Sequence, residues 1–330
     1  MTQTTPPFGI LLVNLGTPEA ATTGAVRRYL AEFLNDTRVV DAPRWLWWLV
    51  LNGIILRTRP KKVAKAYQQV WQAEGSPLLV ISKQQQQALQ QQLQAEFKQH
   101  IPVELAMTYG SPSITQALNN LTQRCERVLI LPLFPQYSSS TTAAVYDAVA
   151  KDMALRHLLP ETRWLNQYFN HPLYIQALAD SVRAYRATHG QGDKLLLSFH
   201  GIPERYALRG DPYPEQCRTT AKLVAENLGL NDDQWLCSFQ SRFGREEWVK
   251  PYTDKVLEQW AHEKLGRVDV ISPAFAADCL ETLEELDVEN RALFTQHGGG
   301  EYHYIPCLNA QDDHIQLLVE LVKQHSQGWV

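Results

Sequence analysis

Two stretches of this chain read as copies of each other: L-L-V-N-L-G-T-P-E at residues 11–19 and L-L-S-F-H-G-I-P-E at residues 196–204. Each is an apolar run that ends in a Gly-x-Pro-Glu turn, which is typical of a buried strand followed by a loop. Open α/β folds bind their ligands at the carboxyl ends of such strands. The first copy has Leu15 at this place and the second has His200. This difference indicates that the second half carries the chemistry.

The repeat continues beyond these first strands. Residues 127–134 resemble residues 267–275 with one residue inserted, and residues 103–108 and 234–239 occupy matching places before them. Each is a short run rich in residues that favour strands, and helical patterns lie between the runs. This alternation predicts parallel sheets joined by crossover helices.

The duplication predicts an α/β protein with two similar Rossmann-like lobes. We place an N-terminal lobe at residues 1–165 and a C-terminal lobe, with the candidate metal and proton site, at residues 166–330. The strand ends of such a pair are expected to surround one ligand cleft between the lobes. No G-x-G-x-x-G or phosphate-binding P-loop follows any of the predicted strands, which argues against a nucleotide ligand.

Composition narrows the class of protein further. The chain has 330 residues, of which 45% are hydrophobic and 20% charged, and a net charge of −4. These values are ordinary for a soluble protein, and the charge gives no support for nucleic-acid binding. The five cysteines are odd in number, scattered and without a C-x-x-C pair. Reduced thiols and a cytoplasmic location are therefore expected, the more so because no secretory signal precedes the first strand.

One segment is unusually apolar. Residues 45–56 read W-L-W-W-L-V-L-N-G-I-I-L and lie between Arg44 and Arg57. The run is too short to span a bilayer as a helix. It is either a buried helix or a mobile apolar lip beside a ligand cleft, and such a lip would also be able to touch a membrane surface through its tryptophans.

His200 and a set of carboxylates are the candidate chemical groups. Glu281, Glu285 and Glu289 are four residues apart, so on a helix they lie along one face. A solvated acidic face is the structural alternative, as is a purely structural histidine. Imidazole with carboxylates is a ligand set compatible with Fe(II), and the pKa of a histidine suits proton transfer.

Two further segments are candidates for ligand binding. Residues 135–142, P-Q-Y-S-S-S-T-T, supply hydroxyls at the start of a helix, where a carboxylate or phosphate is well placed. Trp248 follows a predicted strand, where its indole would be able to stack on a flat ligand. A simple helix cap and a core tryptophan are the respective alternatives.

Taken together, these motifs make the chain similar to a bacterial ferrochelatase over essentially its full length. The resemblance implies a lyase that inserts Fe(II) into protoporphyrin IX, yielding protohaem and two protons. The substrates would be the porphyrin and Fe(II), with no nucleic acid. The matching motifs are N-L-G-T-P-E at 14–19, P-Q-Y-S-x-S-T-T at 135–142, S-x-H-x-x-P at 198–203, Q-S-R-x-G-x-x-x-W at 240–248 and D-x-x-E-T-L at 278–283.

The resemblance also implies roles for individual residues. His200 and Glu281 would be the catalytic pair and would contact the metal, and Glu285 and Glu289 would extend the metal-binding line. The apolar residues 45–56 would correspond to the family's lip. The residues implied to bind the porphyrin are Leu15, Arg57, Arg59, Tyr67, Ser138 and Trp248.

Two positions differ from relatives. Animal relatives carry a 2Fe–2S cluster with one cysteine inside the hydroxyl motif, where this chain has Ser139, and no cysteine follows Cys307. No such cluster and no permanently bound cofactor are therefore expected. Some relatives have a histidine where this chain has Cys279, which weakens any metal route that needs an imidazole there.

Two alternatives to an iron chelatase stay open at this point. One is a chelatase for another metal or tetrapyrrole, such as cobalt or coproporphyrin. The other is a non-catalytic protein of two lobes that binds haem. A peripheral contact with a membrane is left open as well.

Overall fold

The structure, a computed structural model, describes residues 6–244 and 246–330. Within these residues the chain forms eight strands, twelve α-helices and two π-helical segments. The strands are β1 Gly9–Thr17, β2 Val103–Gly110, β3 Arg127–Pro132, β4 Glu161–Trp164, β5 Lys194–His200, β6 Trp235–Gln240, β7 Arg267–Ile271 and β8 Glu301–Tyr304.

The helices alternate with these strands. The α-helices are α1 Thr23–Asn35, α2 Arg44–Val50, α3 Leu56–Val70, α4 Pro77–Phe97, α5 Ile114–Thr122, α6 Thr142–Met153, α7 Pro172–His189, α8 Glu204–Leu208, α9 Tyr213–Leu228, α10 Thr253–His262, α11 Arg291–Gln296 and α12 Asp312–His325. The π-helical segments are Leu51–Ile55 and Glu281–Asn290.

Two sheets of the same topology organise the chain. The first has the order β2-β1-β3-β4 and the second has the order β6-β5-β7-β8. All neighbouring strands within each sheet are parallel. Each sheet packs an apolar face against helices, with Leu11 and Ile130 in one core and Leu196 and Val270 in the other. The predicted α/β class with two similar parallel sheets is confirmed.

The fourth strand of each sheet was not part of the sequence prediction. β4 and β8 are only four residues long and pair with one neighbour each. Their sequences, E-T-R-W and E-Y-H-Y, mix charged and aromatic side chains, and the first residue of each is exposed. Short charged strands of this kind protect a sheet edge and lack the apolar run by which strands are recognised.

The chain divides into two compact units, and the end of the chain belongs to the first. One unit contains residues up to Phe134, 139–166 and 310–330, and the other contains residues 135–138 and 167–309. The predicted C-terminal lobe ran to residue 330. The last segment instead packs in the first unit, because α12 lies against α4 and Trp329 donates its indole N–H to Glu161 at 2.8 Å.

The apolar segment 45–56 lies at the surface of the first unit. Trp45 is 72% exposed and Trp48 61% exposed, while Trp47 donates its indole N–H to the Leu34 carbonyl at 2.7 Å. Trp47 thus ties the segment to α1 and the other two tryptophans face outward. Among the helices that the structure describes, none combines the length and the apolar character needed to cross a membrane.

Candidate active site

His200 lies at the carboxyl end of β5, a central strand of the second sheet. It is the last residue of that strand and pairs in register with Gln240, the last residue of β6. Its side chain is partly buried. The ring Nδ1 and the carbonyl oxygen of Gly201 are 2.7 Å apart, and since a carbonyl only accepts, Nδ1 carries the proton. With Nδ1 bonded in this way, Nε2 is the ring nitrogen left to take a proton or a metal ion.

The three glutamates lie on the π-helix Glu281–Asn290, which follows β7. The spacing of four residues predicts an α-helix here. The structure has a helix at the predicted place, but it is a π-helix. A π-helix has more residues per turn than the 3.6 of an α-helix, so residues four apart fall just short of one turn instead of just past it. Glu281 and Glu285 are partly buried and Glu289 is exposed. The acidic line thus runs from a partly buried position to solvent.

Glu285 is held by the loop that follows β6. The backbone N–H of Ser241 donates to Glu285 Oε1 at 2.8 Å, and the Ser241 hydroxyl donates to Oε2. Gln240 Nε2 lies 3.4 Å from the same Oε2 and donates to the Glu281 carbonyl at 3.1 Å. Ser241 has a φ of 65°, an uncommon conformation for a residue with a side chain. This backbone turn lets both donors of one serine reach one carboxylate.

The pKa of Glu285 shows which charges surround it. Burial raises the pKa of this carboxyl above its ordinary value, and the negative charge of Glu281 raises it further. The hydrogen bonds from Ser241 and the charge of His200 act in the opposite direction. His200, Glu281 and Glu285 therefore share one electrostatic neighbourhood at the carboxyl edge of the second sheet.

Glu281 also has a neighbour in Cys279. Burial raises the pKa of the Cys279 thiol well above its ordinary value, and the charge and hydrogen bond of Glu281 raise it further. The protonated thiol form of Cys279 is therefore favoured when no metal is bound.

A chain of buried polar side chains supports the strand ends below His200. Ser198 donates its hydroxyl to Gln240 Oε1 at 2.8 Å and lies 2.8 Å from the hydroxyl of Thr253. Ser238 is bonded to the same Thr253 hydroxyl at 2.8 Å. All four side chains are buried. Because Ser198 binds the amide oxygen of Gln240, the amide nitrogen is directed towards Glu281 and Glu285.

The start of the π-helix is anchored by Asp278. Its carboxylate accepts hydrogen bonds from Thr282 Oγ1 at 3.0 Å, the Tyr304 hydroxyl at 2.6 Å and Asn309 Nδ2 at 2.7 Å. Its own N–H donates to Asn309 Oδ1 at 2.8 Å. Asp278 is buried, so these partners balance the loss of water around its charge. Glu281 is three residues further along and takes its position from this anchor.

Trp248 lies beside the turn that follows His200. It is buried and donates its indole N–H to the Phe243 carbonyl at 3.0 Å. A Cβ on Gly201 would stand 3.2 Å from the indole and 2.9 Å from the Gln240 carbonyl, so the turn requires glycine. Trp248 therefore supports the His200 turn from one side, and in this structure it offers a ligand little surface.

Ser138 lies in the second unit as well. It is buried, and its hydroxyl donates to Asp211 Oδ2 at 3.0 Å. The adjacent Gln136 donates to Thr220 at 3.0 Å, and the N–H of Tyr137 donates to Gln216 at 2.7 Å. This part of the hydroxyl motif is thus fixed by α9 and the loop before it.

The remaining predicted residues belong to the first unit. Leu15 is a partly buried residue of β1, and Tyr67 is buried in α3 with its ring 5.8 Å from that of Trp71. Arg57 and Arg59 are exposed on α3. The predicted ligand cleft and the predicted contacts of these residues stay predictions.

Sequence reasoning missed three residues that position this site. Gln240 and Ser241 bind Glu285, and Asp278 anchors the helix that carries it. For Gln240 and Ser241 the available signal was their place at the end of β6, where polar residues are expected to serve the site. Asp278 lies further along the loop after β7 and had no such signal.

Known proteins similar to this chain support one family. A family model described as Ferrochelatase matches residues 7–326. Ferrochelatase 1 of Shewanella oneidensis is 56% identical over 331 residues, covering 100% of this chain and 99% of the relative. The ferrochelatase of Aeromonas hydrophila is 58% identical over 315 residues, covering 95% of this chain and 97% of the relative.

The chain belongs to the ferrochelatase family. The resemblance predicted from the five motifs is therefore confirmed, and so is the prediction of an enzyme of the metal-chelatase class of lyases.

Solved structures agree on the fold. The structure described as CbiX, the terminal enzyme of sirohaem biosynthesis in denitrifying bacteria, superposes with a TM-score of 0.51 at 14% identity, covering 96% of this chain and 98% of that chain. SirB from Bacillus subtilis gives a TM-score of 0.53 at 11% identity, covering 74% of this chain and 90% of that chain. At such low identity these matches speak for the fold alone.

Proposed function

We propose that this ferrochelatase-family chain inserts Fe(II) into protoporphyrin IX. Fe(II) replaces two pyrrole N–H protons, so that protohaem and two protons are the products and no redox step is needed. The single observation that supports this proposal most strongly is the site at the end of β5. There an imidazole with a free Nε2 shares its surroundings with an acidic line that leads to solvent.

His200 is the proposed proton acceptor or metal-delivering ligand of the reaction. A free-base porphyrin loses its pyrrole protons with difficulty near neutral pH, and a histidine has the pKa best suited to accept them. The Gly201 carbonyl holds the ring in one tautomer, with Nε2 available. Glu281 is the proposed partner of His200 because it stands at the start of the acidic line.

Glu285 and Glu289 are the proposed continuation of that line. The raised pKa of Glu285, due first to its burial, brings its protonation closer to neutral pH, which suits a group that takes up and releases protons. Glu289 is exposed and would exchange protons or iron with water.

The arrangement suits a passing ion better than a resident one. Among the described residues, one group of three potential metal ligands has its ligand atoms within 4.8 Å of one another. That group is Glu258, His262 and His297, and it contains neither His200 nor a residue of the acidic line. His200 and the acidic line therefore do not form a closed set of three ligands. A substrate ion must leave its ligands, so a loose series of carboxylates is appropriate for it.

Porphyrin binding is proposed for the residues that the family resemblance implies. The exposed guanidinium groups of Arg57 and Arg59 would meet propionates, since arginine pairs with carboxylates in a bidentate way. Leu15, Tyr67 and Ser138 are proposed to line the macrocycle. For Trp248 we propose an indirect contribution, through its packing against the His200 turn.

A peripheral membrane contact through residues 45–56 and a cytoplasmic location are proposed as well. The support for the first is the outward-facing pair Trp45 and Trp48, since an interfacial segment of this kind needs exposed aromatic side chains. The support for the second is the set of five free cysteines, because reduced thiols are typical of the cytoplasm.

We also propose that the protein holds no iron–sulfur cluster. Such clusters are bound by four cysteine thiolates. All five cysteines of this chain are buried, and each lies in a different segment: before β3, in α9, in β6, before the π-helix Glu281–Asn290 and after β8. Purified protein should contain no acid-labile sulfide, and stoichiometric sulfide would contradict this proposal.

The experiment that tests the function follows the Soret band without oxygen. Protein with protoporphyrin IX and Fe(II) should convert the free-base spectrum to that of protohaem, and heat-denatured protein should not. Parallel reactions with Co(II) and with coproporphyrin test the alternative chelatase. Binding of haem without any conversion of porphyrin would instead favour the non-catalytic alternative.

A further inference from the structure

Three side chains of types that bind metal ions lie together at the C-terminal ends of α10 and α11. Glu258 and His262 are four residues apart on α10, and His297 follows the last residue of α11. One ligand atom from each of the three lies within 4.8 Å of the other two. The rings of His262 and His297 are 5.4 Å apart and perpendicular to each other.

The hydrogen bonds of this cluster leave the right atoms available. His297 Nδ1 is 2.9 Å from the Leu293 carbonyl, so Nδ1 carries the proton and Nε2 is left as a ligand. That Nε2 is 3.7 Å from Glu258 Oε1, while Lys255 binds the other oxygen of Glu258, Oε2. A histidine whose second nitrogen donates to a carbonyl is the usual arrangement at zinc.

We propose that Glu258, His262 and His297 form a second metal site that binds zinc or another borderline divalent ion. Two imidazoles and one carboxylate are a known zinc ligand set that leaves a fourth position for water. Ligand atoms around a tetrahedral zinc ion are roughly 3.4 Å apart, given metal–ligand distances of about 2.0–2.2 Å. Movements of the ligand atoms by about 1 Å, through side-chain rotation, would bring the cluster to that geometry. Mg²⁺ is disfavoured, since it prefers oxygen ligands.

The cluster joins two helices of the second unit. A bound ion would tie the last turn of α10 to the end of α11, the helix that continues directly from the acidic π-helix. The site is separate from the proposed iron site and does not depend on it.

Equilibrium dialysis with micromolar Zn²⁺ tests the proposal. The native protein should bind one equivalent of zinc at this site. In His262→Ala and in His297→Ala, the Kd for that zinc ion should be at least tenfold higher. His157→Ala, which removes an exposed histidine of the first unit, should keep it. His200→Ala should keep it too, which separates this site from the proposed active site. Equal stoichiometry and affinity in His262→Ala, His297→Ala and native protein would overturn the proposal.

A thermal melt gives a second readout, and circular dichroism of each variant without metal controls for folding. At a hundredfold excess of Zn²⁺ over its Kd, the Tm of the native protein should rise by roughly 4 °C, and that of His297→Ala should not. Mg²⁺ should leave both unchanged. Anomalous scattering at the zinc edge from a soaked crystal should place the ion on His262 and His297. Zinc found only elsewhere would contradict the assignment.

Discussion

The two sheets share a backbone device and differ in the side chain that it presents. In the first sheet, a Cβ on Gly16 would stand 1.9 Å from the Tyr109 carbonyl of β2; in the second, a Cβ on Gly201 would stand 2.9 Å from the Gln240 carbonyl of β6. Both Gly-x-Pro-Glu turns therefore press against the neighbouring strand. Only the second turn follows a histidine. The turn thus belongs to the fold, whereas His200 is an addition that the fold does not require.

The segments after the third strands differ in the same way. β3 leads through the hydroxyl motif into α6, a regular helix with a mostly apolar sequence. β7 leads to the Asp278 anchor and the acidic π-helix Glu281–Asn290. A π-helix is uncommon and is often found at functional sites. The second half therefore carries both members of the proposed catalytic pair.

The largest expected effect along the acidic line is that of its first carboxylate. Glu281→Gln should lower the turnover number for iron insertion by roughly 100-fold, because it removes the proposed partner of His200. Glu289→Gln is the matched change at the exposed end of the line and should mainly raise the KM for Fe(II). Equal losses in both variants, measured by steady-state kinetics, would remove the difference between inner and outer positions.

The Asp278 anchor should matter for stability. Asp278→Ala removes the acceptor shared by the hydroxyls of Thr282 and Tyr304 and the amide of Asn309, so the free energy of unfolding should fall by roughly 2–4 kcal/mol. Asp233→Ala, in an exposed loop, should change it by less than about 0.5 kcal/mol. Urea unfolding of both variants makes the comparison. If Asp278→Ala lowered the free energy of unfolding by no more than Asp233→Ala does, the π-helix would not depend on this anchor.

Glu285 predicts a dependence of stability on pH. Its pKa is raised in the folded protein, mainly by burial, so the folded state holds this proton at a pH where the unfolded state has lost it. This contribution to stability is fully present at a pH below the pKa of Glu285 in the unfolded chain. It is lost as the pH rises through the higher pKa of Glu285 in the folded protein. Glu285→Gln should therefore raise the Tm at neutral pH, by about 2 °C, with the gain shrinking as pH falls towards 4. A Tm that falls equally at every pH would show that the bonds to Ser241 outweigh burial.

The smallest effect is expected in the exposed part of residues 45–56. Trp45→Ser with Trp48→Ser should change the free energy of unfolding by less than about 0.5 kcal/mol, because both side chains face outward. Trp47→Ala should cost more, since it removes the bond to the Leu34 carbonyl. If the double variant unfolds at a much lower temperature, those two tryptophans lie in a core after all. Binding to anionic vesicles, measured on the same proteins, tests the membrane contact.

The sequence predicted the parts of the fold that have a strong local signal. Six strands appear as buried apolar runs, and the repeated Gly-x-Pro-Glu turns revealed that the halves are related. β4 and β8 have no such run, and nothing local shows that α12 packs against α4 across more than 200 residues of sequence. These features depend on tertiary contacts, which a single sequence does not display.

The candidate site was predictable in its chemistry and less so in its support. His200 and the three glutamates were visible because their residue types and spacing are informative. The helix type was not, since a spacing of four suits both an α-helix and a π-helix. Ser241 was missed because its contribution depends on the backbone conformation. A φ of 65° directs both its N–H and its hydroxyl at Glu285, and the residue type alone does not show this. The buried position of Trp248 likewise follows from packing against Gly201.

The central claim is that chemistry resides at His200 and not at the equivalent Leu15. The direct test is single-turnover insertion of Fe(II) into bound protoporphyrin IX by His200→Ala, with the porphyrin Kd measured on the same protein and Leu15→Ala as the matched change. We expect His200→Ala to bind porphyrin within about twofold of the native Kd and to insert iron at least about 100-fold more slowly. We expect Leu15→Ala to affect mainly the Kd. A His200→Ala rate above about a tenth of the native rate, a barrier change below about 1.4 kcal/mol, would contradict the account.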